Sequence, residues 1–150
     1  MDSFPVQLRV LSDMLNKKKA ALAQIMSITE NQENILVSPY AESDGGALFF
    51  NGLNDEKHKL IGLVTEADDL FQTLFDSIKE EFEARAPEFK DAIDALKQSI
   101  REVVDLDSKI RVREEKNRML IERAKPRRKP PVSGVSRAHL IQQYQKNKTK

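Results

Sequence analysis

The chain has 150 residues, of which 33% are charged and 6% aromatic, and its formal net charge is +1. It contains no Cys and no Trp, which excludes disulfides, thiolate metal sites and cysteine nucleophiles. A domain of this size buries a core only if its elements pack along their length, and this composition is typical of long helices with narrow apolar seams.

The charge is divided unevenly along the chain. Residues 123–150 carry nine Lys or Arg and no Asp or Glu, which leaves a net charge of −8 on residues 1–122 because the whole chain carries +1. The N-terminus lacks the basic and apolar segments of a signal peptide, and no run of about 18 apolar residues occurs. We therefore expect a cytoplasmic protein with an acidic body and a basic tail.

The first predicted helix covers residues 5–37. Its apolar residues recur at steps of three and four, which indicates a long amphipathic helix: Leu8, Leu11, Leu15, Leu22, Ile25 and Leu36. A second row recurs every seven residues and widens the stripe enough for two neighbouring helices: Met14, Ala21, Ile28 and Ile35. Polar Lys18, Thr29 and Gln32 fill the missing seam positions, and Ser3 is a candidate cap.

Residues 38–53 contain Pro39 and three glycines, which predicts a loop. Within it, we expect Leu48, Phe49 or Phe50 to fold back on the end of the bundle, or to form an exposed contact patch. The second helix is predicted over residues 54–85, with Asn54 as its cap.

Pro87 predicts a tight corner at residues 84–87, with one kinked continuous helix as the competing interpretation. The third helix is predicted over residues 87–124, and its apolar seam weakens after Ile110. The predicted fold is all-α, an elongated antiparallel three-helix bundle with up-down-up order over residues 1–124. Residues 125–150 form a flexible basic tail in this prediction.

The tail begins with the basic segment 125–131, which includes three prolines that oppose a packed helix. A short docking segment follows, predicted to become helical only on a partner: Val135, Leu140, Ile141 and Tyr144. Two outcomes stay open: an arm extended towards a partner, or a tail that folds back and masks the third helix.

Signals of chemistry are weak. His58 and His139 have no metal-ligand spacing, and adjacent carboxylates such as Asp68 and Asp69 diverge on a helix. Asp44-Gly45-Gly46 lacks the strand and helix that a nucleotide loop requires. We therefore expect no enzyme activity, catalytic residue, cofactor, metal or small-molecule substrate.

The second half of the third helix is the candidate binding surface. Polar residues such as Glu114 and Asn117 interrupt its seam, which favours an interface over a closed core. The predicted cargo-binding residues are Leu106, Ile110, Asn117, Leu120 and Ile121.

Residues 97–110, read as Lys-Gln-Ser-Ile-Arg-Glu-Val-Val-Asp-Leu-Asp-Ser-Lys-Ile, and the stretch Arg-Glu-Glu-Lys-Asn at 113–117 resemble the C-terminal helix of FlgN-type flagellar export chaperones. The leucines of the first helix and the acidic-aromatic pattern of residues 66–75 are similar to the other two helices of that family. The resemblance implies a chaperone that binds the helical C-terminal segments of hook-associated proteins, the hook-filament junction proteins, and delivers them to the type III export apparatus. The loop at 38–53 and the basic tail depart from the family pattern.

Two alternatives come from other classes. The basic run at 123–129 could bind nucleic acid or an anionic membrane, although it lacks interleaved aromatic residues for base stacking. The seams could instead form a structural coiled-coil homo-oligomer.

Overall fold

The computed structural model describes residues 2–124, which form three long α-helices packed against each other. Helix α1 covers Phe4–Leu36, a short 3₁₀ helix covers Pro39–Glu42, α2 covers Asp44–Arg85 and α3 covers Lys90–Ala124. This confirms the all-α prediction. Over the described residues, none of these helices combines the length and the apolar character needed to cross a membrane.

The chain divides into two compact units. The first unit contains residues 1–24 and 60–108, and the second contains residues 25–59 and 109 onward. Each long helix therefore contributes one segment to each unit.

The core of the first unit follows the predicted seams. Its buried apolar side chains lie mainly on α1 and α3: Phe4, Leu8, Leu11, Leu15, Ala21, Leu22, Ile93, Leu96 and Val103. Helix α2 contributes Ile78 as a buried residue, whereas Leu63 and Leu70 are exposed. The α2 stripe is thus wider than the part of it that is buried.

Side-chain contacts fix the helix directions in the first unit. Lys18 Nζ lies 2.6 Å from Asp68 Oδ1, and Asp2 at the start of α1 pairs with Arg85 at the end of α2. Helices α1 and α2 are therefore antiparallel. Lys19, near the middle of α1, pairs with Glu102, near the middle of α3, as expected if α1 and α3 are parallel. The three helices therefore have the predicted up-down-up order.

Arg85 joins the start of α1 to the corner between α2 and α3. Its guanidinium donates two hydrogen bonds to Asp2, at 2.9 and 2.8 Å, and pairs with Glu81 at 3.0 Å and Glu88 at 3.1 Å. The same group lies 5.1 Å from the ring centre of Phe4, a distance suited to a cation–π contact. Hydrogen bonds from Arg85, and then from Phe4 N–H, lower the pKa of the Asp2 carboxyl.

The second unit has a compact apolar cluster. Ile35 of α1, Ala47 and Phe50 of α2, and Ile121 of α3 are buried together, with Leu36 and Leu53 packed against them. The end of α1 and the end of α3 therefore both lie against the first two turns of α2. In this unit too, α2 runs opposite to the other two helices.

The predicted loop at 38–53 is wrong in its second half, because α2 already begins at Asp44. Ser43 caps the helix: its Oγ accepts a hydrogen bond from Gly46 N–H at 2.9 Å. A Cβ on Gly46 would lie 1.8 Å from the carbonyl oxygen of Tyr40, so glycine allows the 3₁₀ helix to pass close to α2. The predicted cap Asn54 is instead a buried residue within α2.

The corner between α2 and α3 contains Pro87, as predicted, but α3 begins later in the chain than predicted. Helix α2 ends at Arg85 and α3 begins at Lys90, three residues after the predicted start at 87. Turn hydrogen bonds join Glu88 N–H to the Arg85 carbonyl and Phe89 N–H to the Ala86 carbonyl. A single kinked helix is therefore excluded.

Candidate functional site

The predicted cargo residues on α3 do not share one open face. Ile110, Asn117 and Ile121 are buried, while Leu106 and Leu120 are half-buried. A partner could reach the three buried residues only if the helices separated. The expectation that this half of α3 is unsuited to a closed core is therefore wrong, and a binding role for these five residues remains a prediction.

The polar residues that interrupt the predicted seams meet in the core of the second unit. Lys57 of α2 is 5% exposed, and its ammonium lies 2.5 Å from Glu114 Oε1 of α3 and donates to Gln32 Oε1 of α1. Thr29 Oγ1 lies 2.9 Å from the same Glu114 oxygen. We call these four residues, together with Asn117, the polar core.

Asn117 extends the polar core towards the end of α3. Its side-chain amide donates to the Thr29 carbonyl at 3.1 Å, which ties α3 to α1. Among the described residues, the Oδ1 atom of Asn117 and the Nδ2 atom of Asn54 are buried without a hydrogen-bond partner. Unsatisfied buried groups lower stability, so these two atoms reduce the stability of the second unit.

Glu33 adds an ion-pair cluster at the margin of the same unit. Its carboxylate pairs with Lys116 and, at 3.0 Å, with Arg113. The hydrogen bond from Lys116 lowers the pKa of the Glu33 carboxyl below its ordinary value, and Arg113 adds to this effect. Partial desolvation of the carboxyl raises the pKa and offsets only part of the shift. The charge on Glu33 therefore helps to hold α1 against α3.

The start of α2 carries an exposed apolar patch. Leu48 is 75% exposed and Phe49 is 59% exposed, whereas the next residue, Phe50, is 1% exposed. The prediction that Leu48, Phe49 or Phe50 folds back on the bundle is confirmed by Phe50, which is buried beside Ile35 and Ile121. Leu48 and Phe49, which we call the α2 patch, match the alternative prediction of an exposed contact surface.

The surroundings of the α2 patch are open and acidic. Gly45 and Gly52 flank it in sequence, and a Cβ on either would meet no atom within 4 Å. Asp55 and Glu56 are exposed seven residues after Leu48 and Phe49, so each acid lies on the same side of the helix as one patch residue. Between residues 42 and 56 there are four Asp or Glu and no Lys or Arg.

The outward side of α3 carries a smaller apolar surface. Val112 is 71% exposed, and Met119 is exposed seven residues later. Both line a surface pocket whose described wall lies on α3 alone and carries Arg111, Lys116, Arg123 and Glu115. Leu120, one of the predicted cargo residues, also lines this pocket, whereas Ile110, Asn117 and Ile121 are buried.

The described residues that were considered as signals of chemistry lie in ion pairs, on a helix surface or in a helix turn. Within residues 2–124, no group of three or more His, Asp or Glu could hold a metal ion. Asp68 pairs with Lys18 and Glu81 with Arg85, while His58 is exposed. Asp44, Gly45 and Gly46 form the first turn of α2.

Several predictions fall on residues outside the described part of the chain. They are the basic run beyond Ala124, His139 and the docking segment: Val135, Leu140, Ile141 and Tyr144. They stay predictions.

Four of the five residues of the polar core were identified from the sequence, but their contacts with one another were not predicted. Thr29 and Gln32 on the first seam, and Glu114 and Asn117 on the third, each lie three residues apart. The equal spacing was the feature of the sequence that indicated a contact between the polar residues of α1 and those of α3. Lys57 was missed because the second helix was predicted to begin only three residues before it.

Comparison with protein-family models, with curated proteins and with solved structures finds no match to this chain. The resemblance to the flagellar chaperones therefore stays a prediction that depends on the residues quoted for it, in the first helix, at 66–75, at 97–110 and at 113–117.

Proposed function

We propose that this protein is a non-catalytic binding protein that captures an amphipathic helix of a partner protein. The observation that carries the proposal is the α2 patch, where Leu48 and Phe49 face solvent beside a buried Phe50. In helix-in-groove recognition, the apolar face of an amphipathic helix packs on an apolar surface of the receptor. The α2 patch supplies two exposed apolar side chains for such a contact, next to a packed core.

The charge around the patch suggests the chemistry of the partner. Because residues 42–56 are acidic and without Lys or Arg, the matching helix carries an apolar stripe flanked by Lys or Arg. Opposite charges of this kind favour one orientation and one class of partner.

The narrower form of the proposal follows from the resemblance. In that form the protein is a cytoplasmic flagellar export chaperone, its cargo is the helical C-terminal segment of a hook-associated protein, and the docking segment of the tail contacts the export apparatus. Capture needs no chemical step, because burial of apolar side chains contributes roughly 1.5 to 3 kcal/mol each and offsets the ordering of the cargo.

Binding of labelled C-terminal peptides from hook-associated proteins, measured by fluorescence anisotropy with the full chain, tests the proposal. Replacement of Leu48 and Phe49 by Glu is expected to weaken binding about a hundredfold, since it removes two anchors and adds charge. The thermal midpoint of the three-helix body is expected to stay unchanged because neither side chain packs in its core.

The matched control is Val112→Glu, which adds one Glu, against two in the test variant, at a similarly exposed position of the same unit. Equal losses in the two variants would refute the α2 site. If no peptide binds but nucleic acid binds with a steep salt dependence, the basic-tail alternative is favoured and helix capture is rejected.

A further inference from the structure

The described part of the chain ends beside the turns of α2 that carry the patch, on the side of α2 that faces the core. Ile121, one turn before the end of α3, is buried with Ala47 and Phe50. These two residues flank Leu48 and Phe49 in α2. Residue 125 therefore follows directly from a helix end that lies against the patch-bearing turns of α2.

The segment that follows has the composition of an occupant. Residues 125–150 carry eight Lys or Arg and no Asp or Glu. Leu140, Ile141 and Tyr144 share one side of a helix by their spacing of three and four. A basic apolar segment is complementary to an apolar patch that is followed on the same side of α2 by the exposed acids Asp55 and Glu56, with Lys59 one turn further along.

The chain length allows this segment to reach the patch. Residues 125–134 can extend to about 33 Å. Packed helices lie roughly 8 to 10 Å apart, and the step from Ile121 to Ala124 adds about 5 Å along α3. The linker is therefore long enough to turn back without strain.

We propose that, in the free protein, residues 135–144 dock on the α2 patch and occupy the surface that binds the partner helix. Leu140, Ile141 and Tyr144 cover Leu48 and Phe49, and the flanking Lys and Arg face Asp55 and Glu56. The masking role rests on the proposed function, because it assumes that the partner uses the same patch. A tethered segment has an effective concentration of the order of millimolar, so the partner must displace it.

The outward side of α3 is the less favourable location for the same segment. The described wall of its pocket carries Arg111, Lys116 and Arg123 against one acid, Glu115, a net charge of +2, and this charge opposes a tail without acids. Charge therefore selects α2 over α3.

Hydrogen exchange measured by mass spectrometry on the full chain tests the proposal without any partner. Amides around 140–144 are expected to exchange at least about tenfold more slowly than those of an unprotected peptide of the same sequence. This protection is expected to disappear in the Leu48→Glu, Phe49→Glu variant and to persist in Val112→Glu.

Three outcomes overturn the inference. They are unprotected exchange of 140–144 in the wild-type chain, protection that survives in the α2 variant or is lost in Val112→Glu, and protection that falls on dilution. The last outcome would assign the docking to a second copy of the chain.

Partner binding separates the inference from the proposed function. Replacement of Leu140 and Tyr144 by Glu in the full chain is expected to raise partner affinity about tenfold. If exchange shows docking on the α2 patch but no partner helix binds to this variant, the proposed function fails and the docking stands. If the partner binds equally well with and without the two replacements, the masking role fails while helix capture stands.

Discussion

Replacement of Lys57 by Met tests the polar core. Methionine keeps much of the side-chain length but removes the ammonium that lies 2.5 Å from Glu114 and contacts Gln32. Breaking a buried ion pair costs roughly 3 to 5 kcal/mol. Since the Glu114 side chain is 32% exposed, water compensates part of the loss, and we expect about 3 kcal/mol.

The assay is urea unfolding followed by far-UV circular dichroism, with Lys59→Met as the matched control. Lys59 is exposed two residues away in the same helix, and its replacement is expected to change the unfolding free energy by less than about 0.5 kcal/mol. Equal effects at Lys57 and Lys59 would refute the argument that the ammonium is held by the core.

A double-mutant cycle separates the pair from its surroundings. Glu114→Gln keeps an acceptor for Thr29 while it removes the charge, and alone it is expected to destabilise the chain by about 2 kcal/mol. In the double variant the unpaired charge is gone, so its loss is expected to fall short of the sum of the two single losses by at least about 1 kcal/mol. Additive losses would contradict direct coupling.

Two further predictions concern stability. Gly46→Ala is expected to destabilise the chain by at least about 1 kcal/mol, because the new Cβ would lie 1.8 Å from the Tyr40 carbonyl oxygen. Gly52→Ala has open space around it and is expected to stabilise α2 by up to about 1 kcal/mol. A shift of the thermal midpoint in the same direction for both variants would contradict this pair of predictions. The lowered pKa of Glu33 adds stability that is fully present above the unfolded-state pKa of about 4.3 and is lost as pH falls through the folded-state pKa. Glu33→Gln is therefore expected to lower stability at neutral pH and to reduce its acid dependence, and parallel pH profiles for the two chains would argue against it.

The seams of α1 and of the first half of α3 could be predicted because burial repeats with the period of the helix. Leu8, Leu11 and Leu15 are buried at successive steps of three and four, and the second row at Ile28 and Ile35 is buried as well. Such a pattern depends on which side of one helix faces the core, and it is readable from that helix alone.

The start of α2 could not be predicted in the same way. Three glycines in eight residues weigh against a helix by propensity. The helix forms because Ser43 caps it and because Phe50 gains a buried position beside Ile121. The second contact joins residues far apart in sequence, so local propensity contains no information about it.

The closed packing of the second half of α3 could not be predicted for a related reason. Polar Glu114 and Asn117 were correctly identified as interruptions of the α3 seam, and an interface with another protein was inferred from them. Their partners are Lys57 and Thr29 of the same chain. The sequence of one helix cannot show that a neighbouring helix places a hydrogen-bonding or oppositely charged side chain beside these residues.

The polar core also explains why the α2 patch faces outward. Turning α2 by one residue rotates it by about 100°, which would bury Phe49 in place of Phe50 and withdraw Lys57 from Glu114. Apolar packing alone discriminates weakly between two adjacent phenylalanines, whereas the ion pair is satisfied in one register only. We infer that the core gives up some stability to fix the register that exposes Phe49. The double variant at Lys57 and Glu114 provides the check: two sets of Phe49 and Phe50 resonances are expected if the ion pair sets the register, and a single native-like set would show that apolar packing is sufficient.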